Sequence, residues 1–146
     1  MGRSAKVMDT ARIVASAAER LAQYCPDLAN WPRSWSVEPR DVPAGQQLVE
    51  CFTPFLLSLL DRGLSRKTLR HHRDNLWVLG GEMIRAYYDT PTARKLTVHA
   101  WLDEAIGDDG GPLMCHCDSE DAQRSFDSTC RQFHRSRQEK AQAKPR

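Results

Sequence analysis

The stretch FLLSLLDRGLSRKTLRHHRDNLWVLGGEMIRAYY, residues 55–88, reads as two helices joined by a tight corner. Leu48, Phe52, Phe55, Leu56 and Leu59 fall on one side of the segment 46–61, and Val49, Leu57 and Leu60 widen that face. An apolar face broader than a surface stripe predicts a central buried helix. Gly63 is placed to end it, because glycine accepts the left-handed turn that closes many helices. Ser65 is placed to start the next helix by capping its free N–H groups, and that helix runs to about residue 88, before Pro91. Its core face is predicted to be Leu69, Leu76, Leu79, Met83 and Tyr87.

The flanking segments extend the same class. Residues 5–24 carry Val14, Ala17 and Leu21 at three- and four-residue steps, with Arg12, Glu19 and Arg20 off that stripe, which predicts an amphipathic helix. Residues 25–45 contain Pro26, Pro32, Pro39 and Pro43 with Trp31 and Trp35 between them. That composition reads as an ordered linker anchored by tryptophans. A shorter helix is expected over 96–106, closed by the loop 107–112, and a last one from an N-cap at Ser119. Ala122, Phe126, Cys130 and Phe133 form its apolar stripe, and the chain after Arg135 reads as a solvated tail. The expected fold is therefore all-α, a single bundle of about five helices. Its parts would be an N-terminal helix with connector (1–45), a helical core (46–135) and a flexible basic tail (136–146).

With 146 residues the chain is one ordinary domain in size, and its 40% hydrophobic content is that of a folded protein. No apolar run approaches the length of a membrane span, and no signal-peptide pattern begins the sequence. Five cysteines, odd in number and irregular in spacing, argue for reduced thiols and a cytoplasmic setting.

The net charge of +2 hides three blocks. Residues 61–100 hold eight basic and four acidic side chains, 101–121 hold seven acids and no Lys or Arg, and 123–146 hold seven basics and two acids. Within the first block Arg66, Arg70, Arg73 and Trp77 follow one another along the helix at i, i+4, i+7 and i+11, and Lys67 and His71 add positive charge outside them. Cations at a helix N-terminus oppose the macrodipole at about a few tenths of a kcal/mol each. Free N–H groups, a capping hydroxyl and flanking Arg and Lys instead suit a phosphate oxygen.

The segment GLSRKTLRHHRDNL, residues 63–76, resembles the start of the second helix in the core-binding (SAM-like) domain of phage-integrase-type tyrosine recombinases, and FLLSLLDR, 55–62, resembles the end of that domain's first helix. The likeness spans about residues 46–90. It implies a helical bundle that grips one side of duplex DNA, with Ser65, Lys67 and Thr68 at the backbone. Arg66 stands where the family often has Pro. On this reading the DNA-binding residues are Ser65, Arg66, Lys67, Thr68, Arg70, His71 and Arg73. The segments GDDGGPL (107–113) and SFDSTCRQFH (125–134) are similar to parts of short uncharacterised bacterial proteins, which implies a stand-alone unit and no chemistry. The DNA-binding reading itself would place the chain beside a mobile element or make it a modulator of a full-length recombinase.

Catalysis is not expected. His134 and Arg137 match the family's His-x-x-Arg box by spacing, but Tyr24, Tyr87 and Tyr88 all precede it, so no phenol follows to act as nucleophile. His71, His72 and Asp74 read as surface charge. No cofactor is expected. Cys115, Cys117, Cys130 and His134 have a spacing close to structural zinc sites, although the first pair is one residue tighter than usual and Cys130 also fits the apolar stripe as a small hydrophobe. A second reading of the whole chain is a protein-interaction module whose acidic block and basic tail meet a partner or another copy.

Overall fold

The computed structural model describes residues 16–90, 95–114 and 119–143. Among these are six helices: α1 (16–24), α2 (Trp31–Trp35), α3 (Asp41–Asp61), α4 (Arg66–Asp89), α5 (Val98–Ala105) and α6 (Glu120–Ala143). A 3-10 turn, Leu28–Asn30, precedes α2, and the described residues form no strand beyond a lone bridge between Gly107 and Gly110. The protein is an all-α helical bundle. None of the described helices is long and apolar enough to cross a membrane. Val14, expected on the first helix, lies outside the described residues.

Helix α3 is central, with α2, α4, α5 and α6 all packed on it. Leu48, Phe52, Phe55, Leu56 and Leu59 are buried as their spacing predicts. The corner after α3 is also as read: Gly63 takes a left-handed φ of 68°, and Ser65 Oγ accepts the Thr68 N–H at 3.2 Å. On α4, Leu76, Leu79 and Met83 are buried and Leu69 is half-buried; the Tyr87 side chain lies outside the described set.

The segment expected as a linker contains a 3-10 turn, all of α2 and the first turn of α3, and it belongs to the core. Pro32 sits in the first turn of α2 and Pro43 in the first turn of α3, where a missing N–H removes no helical bond. Helix α3 therefore begins at Asp41, ahead of the expected start at residue 46. Asp41 is buried, and its Oδ2 accepts the N–H groups of Val37 and Glu38, each at 2.9 Å, which fixes the approach to the helix. Trp31 and Trp35 are both buried; Trp35 Nε1 donates to the Trp77 carbonyl at 2.9 Å. Two glycines admit α2: a Cβ on Gly45 would lie 2.9 Å from Pro32 Cα, and one on Gly80 would lie 2.2 Å from the Trp35 ring.

Helix α6 begins where expected, with Ser119 Oγ accepting the Ala122 N–H at 3.1 Å. It does not stop near Arg135. The segment expected as a flexible tail is helical through Ala143, because Arg137 reaches back to α5: it donates to Asp103 Oδ1 at 3.0 Å and to the His99 carbonyl at 3.3 Å, and lies over the Phe133 ring. The residues beyond it, Gln, Glu, Lys and Ala, are good helix formers. Helix α5 starts at Val98 with Thr97 as N-cap, two residues later than expected.

His72, read as surface charge, is buried in the seam between α4 and α6. It shares a hydrogen bond of 2.8 Å with Thr129, while Asn75 Nδ2 donates to Thr129 Oγ1 and to the Ser125 carbonyl. Burial lowers its pKa, and the positive charges of Arg62 and His71 act in the same direction. The unfolded chain therefore takes up this proton first. The contribution of His72 to stability is complete above about pH 6.5 and is lost as pH falls through that value toward the lowered folded one. The urea midpoint is expected to fall between about pH 7.5 and 6.0, and the fall to shrink in His72→Asn.

Candidate nucleic-acid interface

The first turn of α4 is exposed and built from a short set of local bonds. Ser65 Oγ accepts the Thr68 N–H and donates to Thr68 Oγ1 at 3.0 Å, so the two hydroxyls lock each other at the helix start. The Leu69 N–H is bonded to the Ser65 carbonyl. The N–H groups of Arg66 and Lys67 belong to the first turn and have no acceptor within the helix. They point the positive end of α4 outward, and Arg66, Lys67, Arg70 and His71 surround it.

Arg66, Lys67 and Arg70 are exposed and make no ion pair or hydrogen bond with a described residue. Five arginines elsewhere in the fold find carboxylates: Arg20 pairs with Asp61, Arg40 with Glu38, Arg85 with Glu82, Arg124 with Asp121 and Arg137 with Asp103, whereas Arg33, Arg62, Arg131 and Arg135 form no ion pair with a described residue. No acid of the described part of the 101–121 block pairs with the α4 turn; Asp103 is engaged by Arg137 instead. Three unmatched cations at one helix start repel each other and the dipole together. That arrangement raises the local potential for an anion.

The seven residues expected to bind DNA divide into three groups. Arg66, Lys67, Arg70 and His71 form the exposed cluster. Ser65 and Thr68 are engaged in capping, which leaves the Thr68 hydroxyl proton as their outward donor. Arg73 belongs to the scaffold: its NH2 group donates to both carboxylate oxygens of Asp27, at 2.8 and 2.9 Å, and its side chain is only 23% exposed. It ties the turn before α2 to α4. Arg73→Ala is expected to lower stability by about 1 kcal/mol, read in urea, while changing affinity for duplex DNA less than twofold. Trp77, at the end of the basic stripe, is 42% exposed and donates through Nε1 to Ser34 Oγ.

Of the four residues with zinc-like spacing, Cys115 and Cys117 lie outside the described residues. Cys130 is fully buried against Gly111, whose added Cβ would meet Sγ at 2.5 Å, and burial pushes its thiol pKa far up. A zinc ligand needs a thiolate, so this environment disfavours the metal-binding form. No group of three or more potential ligands gathers among the described residues.

A groove of about 700 Å³ lies between α3, α5 and α6, and His134 and Arg137, the pair with His-x-x-Arg spacing, are among the residues that line it. Cys51 Sγ stands 3.8 Å from His99 Nδ1 there. Burial pushes the Cys51 thiol up, against the lowering effect of Arg137, so it is held neutral. These residues are 48 positions apart, and only the packing of α5 on α3 brings them together.

No family model matches the chain, and no curated protein or solved structure matches it.

Proposed function

We propose that this chain is a non-catalytic protein that binds duplex DNA through the N-terminal turn of α4, as a domain of core-binding type. The observation that carries this reading is the exposed, unmatched set Arg66, Lys67 and Arg70 around the positive end of a capped helix. Each element supplies donors or positive charge to the same oxygens, and a string of phosphates is the ligand that uses all of them. Contacts of this kind position a protein on the backbone without reading sequence. A role beside a mobile element, or in modulating a full-length recombinase in the cytoplasm, follows from the resemblance of residues 63–76 and depends on it.

In the interaction-module reading, one pair between the acidic block and the basic segment, Asp103 with Arg137, is already closed within the chain. This reading predicts salt-sensitive self-association in place of DNA binding.

The test is fluorescence anisotropy of a labelled random-sequence duplex titrated with the protein at several salt concentrations. Three phosphate contacts give a log–log slope of about −2.7, so affinity is expected to fall about 40-fold between about 50 and 200 mM salt. Absence of binding at the lowest salt, together with self-association on sedimentation, would replace this reading with the interaction module.

A further inference from the structure

A second basic feature lies where α6 passes the end of α3. A groove of about 600 Å³ is walled by Arg62, at the C-cap of α3, and by Arg131 and Arg135, one turn apart on α6. Ser128, Ser136 and the carboxylate of Glu139 also line it. Arg131 and Arg135 make no ion pair or hydrogen bond with a described residue.

The hydrogen bonds in this groove run in one direction. Arg62 NH1 donates to Gln132 Oε1 at 2.8 Å, and Gln132 Nε2 donates to Ser128 Oγ at 3.2 Å. Both polar ends of Gln132 are thereby occupied. Ser128 receives a bond on its oxygen and keeps its own proton for a further acceptor. Arg62 is held by one N–H and retains the others. The groove thus presents guanidinium and hydroxyl donors beside the Glu139 carboxylate, and its amide oxygen already accepts a bond from Arg62.

We propose that this groove binds a phosphate group, held by Arg62, Arg131 and Arg135 with Ser128 donating a hydroxyl. Planar guanidinium forks match phosphate oxygens in pairs, which surface lysines do not. Two sources share this chemistry, a nucleic-acid backbone and a free phosphate compound. The site needs no contribution from the α4 turn and goes beyond the DNA reading.

The experiment uses the full chain and inorganic phosphate, followed by two-dimensional NMR against sodium chloride of equal ionic strength. Saturable shifts at Ser128, Arg131, Gln132 and Arg135 are expected with phosphate and not with chloride. They are expected to weaken at least tenfold in the double variant Arg131→Ala/Arg135→Ala, whose helix content is checked by circular dichroism, and to strengthen severalfold in Glu139→Gln. The variant Arg66→Glu/Lys67→Glu/Arg70→Glu should leave them unchanged, so that failure of the α4 reading and failure of this site are told apart. If Arg131→Ala/Arg135→Ala also lowers duplex affinity and flattens its salt slope by about 0.9, the source is a backbone phosphate; unchanged duplex affinity with lost phosphate shifts assigns the groove to a free phosphate compound. Shifts that match chloride, or that persist in Arg131→Ala/Arg135→Ala, overturn the proposal.

Discussion

Replacing Arg66, Lys67 and Arg70 together by glutamate is expected to lower affinity for duplex DNA by more than about 100-fold at 50 mM salt, while the protein stays folded and becomes slightly harder to melt. The two effects have one cause. The three side chains lie exposed around the N-terminus of α4 with no described partner, so their removal leaves no buried group unsatisfied. Acids at positions 66 and 67, in the first turn, favour the dipole by about 0.3–1 kcal/mol each where the cations opposed it, while repulsion among three like charges is the same in both proteins. Binding suffers doubly, because three phosphate contacts are lost and three negative charges now face the same oxygens. Anisotropy and a thermal melt on the same sample check both halves. Unchanged affinity in this variant would remove the α4 turn from the interface, whatever the wild-type salt slope.

Why those three cations are free, and Arg73 is not, could not be read from spacing. Arg66, Arg70 and Arg73 fall on one stripe, and only the fold brings Asp27, 46 residues earlier, under the last of them. The same limit applies to His72. Its neighbours in sequence are polar and charged, but Thr129 and Phe55 enclose it once α6 and α3 are packed. The caps were legible because they are local: Ser65 and Ser119 each bond a group three residues away. The central helix was legible because its apolar face repeats at helical spacing from Leu48 to Leu60, more than three turns.

The connector misled for a physical reason. Proline and glycine break helices in their interior, yet Pro32 and Pro43 occupy first turns, and Gly45 serves as a notch for Pro32. Composition alone does not reveal which position of a helix a proline takes. Arg62, Arg131 and Arg135 were equally hidden, since about 70 residues separate the two walls of their groove and each reads singly as a solvated charge.

The glycine notch on α4 gives the sharpest test of the packing. A Cβ at Gly80 would stand 2.2, 2.4 and 2.6 Å from three atoms of the Trp35 ring. The ring has little room to yield, because it is buried, bonded through Nε1 to the Trp77 carbonyl, and edge-on to Phe52. Gly80→Ala is therefore expected to destabilise the protein by about 2 kcal/mol, although alanine is favoured over glycine in a helix by about 1 kcal/mol. Trp35→Ala alone is expected to cost about 3–5 kcal/mol through the cavity it leaves. In the Trp35→Ala background the obstacle to a Cβ is gone and only helix propensity remains, so Gly80→Ala should change sign and stabilise by about 1 kcal/mol. Urea denaturation of the four proteins measures this coupling of about 3 kcal/mol. If Gly80→Ala destabilises equally with and without the indole, α2 does not rest in this notch, and the seating of the connector on α4 is wrong.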